Sequence, residues 1–200
     1  MKKIVLYVIL PLLLLLLIVW AWCETAGSDS YNYQGYIVGM RDSEDGTVIT
    51  TICGDKTAEF TLKWYTQKKF SGELTALNEG AFIKLSTTRN SNSNVKKFSA
   101  YNGFSMEGKI VFVEEVNSPF LLTTSQLTGS RYLYSLVSSQ ETSYPLQTGT
   151  QVKVYHQYPL NPGNATVVVD ALQPLSDILS ELTEEELAYM EQLRYTVAGK

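Results

Sequence analysis

Leu77-Asn78-Glu79-Gly80-Ala81-Phe82-Ile83-Lys84-Leu85 has a counterpart 69 residues later in Leu146-Gln147-Thr148-Gly149-Thr150-Gln151-Val152-Lys153-Val154. Each stretch turns on a glycine and then runs apolar, charged, apolar, the period-two pattern of a half-buried strand. On the N-terminal side of this pair, Gly35-Tyr36-Ile37-Val38 matches Gly108-Lys109-Ile110-Val111 at an offset of 73. Val48-Ile49-Thr50-Thr51 meets Leu121-Leu122-Thr123-Thr124 at the same offset, and Phe60-Thr61-Leu62 meets Tyr134-Ser135-Leu136 one residue further on. The matches are collinear, so the chain carries two copies of one small β unit.

Each copy reads as five strands. The first predicts them at 35–41, 47–53, 59–65, 81–87 and 95–101, the second at 108–114, 120–127, 132–137, 151–157 and 166–171. Phe60, Leu62 and Trp64 are expected on one face, and Asp45-Gly46 marks a tight hairpin. Five short strands with a longer link between the third and fourth fit an OB-type Greek-key barrel, with an SH3-like barrel or a small sandwich as alternatives. Beyond the second unit, Leu175, Ile178, Leu179 and Leu182 follow helical spacing. Thr183-Glu184-Glu185-Glu186 then forms a capping box for a second helix running to about residue 196. This tail either docks on the second unit or binds a partner.

Met1-Lys2-Lys3 precedes nineteen residues, 4–22, that carry no charge. That is longer than a signal-peptide core and close to a membrane span, with Trp20 and Trp22 where an interfacial belt would sit. An uncleaved anchor, a signal cleaved near Ala21-Trp22-Cys23 or Thr25-Ala26-Gly27, and a lipoprotein at Cys23 stay open; bulky Trp22 speaks against the last. Lys2 and Lys3 place the body on the outer side of the membrane.

The fold class read from the sequence is therefore mainly β: an N-terminal membrane helix, two tandem OB-like five-stranded barrels and a short C-terminal helical tail. The boundaries fall at 1–30, 31–105, 106–174 and 175–200. The glycine opening strand one, the hairpin, and the Gly-x-x-Ile/Val-Lys-Leu/Val start of strand four resemble small OB-like domains of exported Gram-positive cell-envelope proteins. The resemblance spans about 35–171 and implies a fold and an extracytoplasmic location, with no catalytic residues.

Sixteen basic against twenty acidic residues give a net charge of −4. Without Lys2 and Lys3 the balance is 14 against 20, or −6. Such a body gains little from counterion release on a polyanionic duplex, so nucleic acid is not an expected partner. The two cysteines, Cys23 and Cys53, are no disulfide framework, and Cys53 reads as a small packed hydrophobe. His156 is the only histidine, which removes histidine triads and two-histidine zinc sites; it reads as a rim residue. Asp42-Ser43-Glu44-Asp45-Gly46 has Arg41 where a calcium loop needs an oxygen ligand. No cofactor or metal is expected.

The loop at 87–97 is the candidate ligand site. Arg89, Lys96 and Lys97 are its cations, Asn92 one of its amides, and Tyr101 follows it on the last strand. Amides suit sugar hydroxyls, and aromatic rings stack on sugar faces. The corresponding loop of the second copy, at 157–164, is shorter and has neither Lys nor Arg. The function read from these features is a non-enzymatic extracytoplasmic binding or assembly module, tethered to the membrane through residues 4–22, with an envelope glycan or protein as partner. A glycan-binding or ligand-sensing ectodomain, and an enzyme acting on envelope polymer or nucleic acid, remain alternatives.

Overall fold

The computed structural model describes residues 31–87, 95–113, 119–125, 127–138, 146–160 and 166–198. Among the described residues twelve strands form two sheets: β1 (Tyr33–Ser43), β2 (Gly46–Cys53), β3 (Lys56–Leu62), β4 (Gln67–Phe70), β5 (Phe82–Thr87) and β6 (Val95–Tyr101) make the first. The second comprises β7 (Phe104–Phe112), β8 (Pro119–Thr124), β9 (Arg131–Ser138), β10 (Gln151–His156), β11 (Thr166–Val169) and β12 (Ala171–Pro174). One helix follows, α1 (Glu184–Ala198).

The strand orders are β3-β2-β1-β5-β6-β4 and β11-β9-β8-β7-β10-β12. In the second sheet the two edge strands, β11 and β12, are separated in sequence by Asp170 alone. Two residue steps reach only about 7 Å, so this sheet rolls into a nearly closed barrel. In the first, the edges β3 and β4 are joined by residues 63–66, which curls that sheet too. Inside the first lie Ile37, Ile49, Phe60, Leu62, Ile83, Leu85 and Phe98. Inside the second lie Ile110, Leu121, Leu136, Val152, Val154, Val167 and Leu172.

Several expectations are corrected. The units are six-stranded sheets, not five-stranded barrels. The link expected after the third strand contains β4, which pairs parallel with β6, and the expected strand 166–171 is split into β11 and β12. The expected N-terminal membrane helix falls on residues 1–30, outside the described residues, and no helix among the described residues is long and apolar enough to cross a membrane. No helix forms at 175–182. Trp64 does not share the core with Phe60 and Leu62: β3 ends at Leu62, the chain turns with Thr66 N–H donating to the Lys63 carbonyl, and Trp64 is 90% exposed.

Register also revises the alignment of the copies. An added Cβ on Gly35 would lie 2.6 Å from the Ile52 oxygen, and one on Gly108 would lie 2.4 Å from the Leu122 oxygen. These close approaches make Ile52 and Leu122 equivalent, an offset of 70, where the sequence match gave 73. The hairpin of β1 and β2 is longer than that of β7 and β8, which absorbs the difference. By the same register Phe60 corresponds to Leu136, not Tyr134. The quoted glycines are equivalent as read: Gly80 and Gly149 take φ values of +85° and +91°, a turn that side chains resist. Their N–H groups donate to the Ile37 and Ile110 carbonyls.

Candidate functional site

Outward-facing residues of the first sheet line a cleft where the two units meet. Ile37, Ile83, Leu85, Phe98 and Ala100 point to the core, so alternation turns Gln34, Tyr36, Phe82, Lys84, Lys97, Ser99 and Tyr101 outward. Cross-strand pairing aligns them in rows. Tyr36, Phe82 and Tyr101 form one row, and Gln34, Lys84, Ser99 and Lys69 the next. Ser86, Lys97 and Gln67 form a third. Tyr31 covers Ser99, its hydroxyl 2.7 Å from the serine oxygen.

Lys84 is central to this face. Its ammonium sits 5.7 Å from the Phe82 ring centroid and 5.8 Å from that of Tyr101, within cation–π range of both. Among the described residues it forms no ion pair. Beside it opens a cleft of about 250 Å³ lined by Gln34, Tyr36, Cys53, Phe82 and Lys84 of the first unit and Gln157 and Asp170 of the second. The cleft exists because the units dock here. Tyr36, Ile52 and Phe82 pack with Tyr155 and Ala171, and the Tyr36 and Tyr155 ring centroids are 5.4 Å apart. Gly54 clamps the joint: its N–H donates to the Asp170 carbonyl and its carbonyl accepts from Leu172 N–H.

Tyr36 is only 1% exposed, and its hydroxyl donates to Asp170 Oδ2 at 2.7 Å. Burial, then the hydrogen bond to the carboxylate and its negative charge, drive its pKa far above the ordinary phenol value. Tyr155 is pushed up to about 12, chiefly by burial and then by the charges of Glu79 and Glu107. Both phenols are therefore neutral donors at physiological pH, and Tyr155 donates to Gln173 Oε1 at 2.9 Å.

Of the residues singled out in the sequence, Tyr101 and Lys97 belong to this face, and Tyr101 touches its central lysine. Lys96 is the extra residue of a bulge, since Ser86 pairs with Lys97 and Thr87 with Val95. Arg89, Asn92 and the rest of 88–94 lie outside the described residues. Sequence reasoning missed Gln34, Lys84, Gln157 and Asp170, which come from distant segments. The signal for Lys84 was in hand, as the polar residue within the duplicated motif. His156 is buried rather than on the rim; Phe104 stacks on it at 5.7 Å and its Nδ1 lies 2.7 Å from the Tyr158 carbonyl. Cys53 is half-buried at the cleft. Cys23 lies outside the described residues.

The second unit carries the equivalent face. Lys109 stands where Tyr36 does, and Lys153 where Lys84 does. Lys153 is paired with Glu107 at 3.0 Å. Lys109 is held by the tail, donating to Glu186 Oε2 at 2.8 Å and to the Glu181 carbonyl at 3.1 Å. The capping box forms: Thr183 N–H donates to Glu186 Oε2 and Glu186 N–H to Thr183 Oγ1. Arg131 adds an ion pair with Glu185. Burial alone would raise the Glu186 carboxyl, but Lys109 and the Thr183 donors outweigh it and hold the group below the usual carboxylate range.

Among the described residues no group of three or more His, Cys, Asp or Glu is placed to hold a metal ion. Comparison with protein-family models, curated proteins and solved structures finds no match.

Proposed function

We propose that the protein is a non-enzymatic extracytoplasmic binding module whose first unit holds an anionic, hydroxyl-rich polymer of the cell envelope. The observation that carries this reading is Lys84, an ammonium without an ion-pair partner among the described residues, set over two aromatic rings in an open cleft. Lys97 and Lys69 extend the positive character along the strands, Gln34 and Gln157 offer amides for hydroxyls, and Tyr101 and Tyr31 offer ring faces. The charge-free run at 4–22 behind Lys2 and Lys3 supports a place outside the cytoplasm.

The test is retention of the full-length chain on a glycerol-phosphate polymer and on hyaluronate, with dextran as the neutral control. Lys84→Ser should weaken binding to the acidic polymers by about 1–2 kcal/mol, roughly five- to thirtyfold. Salt should weaken the wild type more than the variant. Equal retention of variant and wild type, or equal binding to dextran, would overturn the reading.

A further inference from the structure

The tail holds its place on the second unit by polar contacts, and those contacts are incomplete. Leu175 N–H donates to the Gln151 carbonyl and Ser180 N–H to that of Gly149, and Gln151 Nε2 donates to Ser180 Oγ at 2.7 Å. Ile178, Leu179 and Leu187, apolar side chains that a packed tail would bury, stay exposed. Charge supplies the rest: Lys109 meets Glu186 at 2.8 Å, and Arg131 meets Glu185. A guanidinium fork matches a carboxylate with two parallel bonds. Here Glu185 is bonded through Nη2, while Arg131 Nε is buried without a hydrogen-bond partner among the described residues. A buried donor left unpaired is costly. Beside the Lys109–Glu186 pair a cleft of about 250 Å³ also stays open, walled by Glu107, Lys109, Leu122, Thr124, Gln151 and Glu186.

We infer that Lys109 and Arg131 form a binding site for an acidic peptide segment of a partner protein, with the tail as its displaceable occupant in cis. Charge complementarity argues for that occupant. Thr183-Glu184-Glu185-Glu186 shows the chemistry the site accepts: adjacent carboxylates, one on each cation. Of the unit's own groups Glu107 lines the cleft, and Lys153 neutralises it at 3.0 Å; Glu79 of the first unit lines the neighbouring cleft beyond Lys153. Departure of the tail takes Glu181, Glu184, Glu185 and Glu186 with it, and Lys109 and Arg131 lose the carboxylates that face them. A second copy gains nothing by exchange, since its tail makes the same bonds and gives up the advantage of being tethered. A partner carboxylate that engages both Nε and Nη2 of Arg131 makes a bond that the tail does not. Lys84 and its cleft are not used in this contact.

The probe is a fluorescein-labelled peptide copying residues 181–193, titrated into full-length protein. Glu185→Gln/Glu186→Gln removes both tail charges from the site, while an amide in place of Glu186 keeps the capping box. This variant should bind the peptide about tenfold more tightly than wild type, whose own tail competes as a tethered ligand. Salt should weaken the binding. In that background Arg131→Lys keeps the charge and loses the fork, and should weaken binding about fivefold. Lys109→Ser/Arg131→Ser should abolish it, with an unchanged circular dichroism spectrum. Equal affinity of wild type and the tail variant, or no binding by either, would overturn the inference. So would displacement of the peptide by the glycerol-phosphate polymer, which means a polymer site, and wild-type dimers that form on concentration, which mean tail exchange between copies. Lys84→Ser should leave peptide binding intact, so this inference and the polymer reading fail separately.

Discussion

The outer faces of the two units are built on one plan and used differently. At the position of Tyr36 the first unit presents a phenol that donates to Asp170, and the second presents Lys109, which donates to Glu186. In each case the chain that follows the unit folds back and sets an acidic side chain on that spot. For the first unit the cover is the second unit; for the second it is the tail. Two β units in series leave one such face over, and a short segment with a capping box covers Lys109 on it. The neighbouring lysine shows the opposite trend: Lys153 has Glu107 beside it, whereas Lys84 has Gln34. On the second face both lysines are paired with carboxylates; on the first, Lys84 forms no ion pair among the described residues.

The largest effect is expected at the cover of the first unit. Tyr36→Ala removes a buried ring from the joint and leaves Asp170 without its phenol donor, and should cost about 3–5 kcal/mol in urea unfolding. A cost below about 1 kcal/mol would mean the units do not rely on each other. Alkali offers a gentler probe. With Tyr155 raised to about 12 and Tyr36 raised as well, the native state keeps protons that the unfolded chain gives up near pH 10. The stabilisation is whole below pH 10 and is lost as pH rises through the folded values. Unfolding midpoints that stay flat from pH 10 to 12 would contradict the buried pair.

At the cover of the second unit the effect should be smaller and local. Glu186→Ala removes a cap and the partner of Lys109, costing about 1–2 kcal/mol, and should free the tail while the second sheet keeps its hydrogen-exchange protection. Acid should act alike. The Glu186 carboxyl is held low, so its contribution is present above the unfolded value of about 4.3 and is lost as pH falls through the lower folded value. The amides of Ser180 and Leu187, bonded to the Gly149 and Thr183 carbonyls, should then exchange faster below pH 4.

Which parts of this were legible in the sequence follows from which contacts are local. The duplication, the hairpin at Asp45-Gly46 and the capping box rest on neighbours in the chain, and a reader of residues finds them. The three-residue slip of β2 against β8 could not be seen, because it is set by how closely Gly35 and Gly108 approach a second strand. Trp64 looked inward because alternation was carried past Leu62, where the strand ends. Tyr101 and Lys97 were named from an aromatic and a cation near a long loop. Lys84, Gln34 and Asp170 were not, since only pairing of β1 with β5 and docking of the units bring them together.

The smallest expected change in stability is the sharpest test of the difference between the faces. Gln34 and Lys84 are cross-strand partners, as are Glu107 and Lys153, so Gln34→Glu copies the second unit's arrangement onto the first. An exposed ion pair of this kind contributes about 0–1 kcal/mol, and the melting temperature should barely rise. Binding is another matter. A carboxylate beside Lys84 competes with any anionic ligand for the same ammonium, so affinity for the acidic polymers should fall about as far as in Lys84→Ser. The reverse change, Glu107→Gln, uncovers Lys153, but Gln151 and Leu175 stand there where the first unit has Phe82 and Tyr101. Without rings beneath the cation it should gain no polymer binding. Undiminished binding in folded Gln34→Glu protein would remove Lys84 from the contact and leave the contrast between the faces without functional meaning.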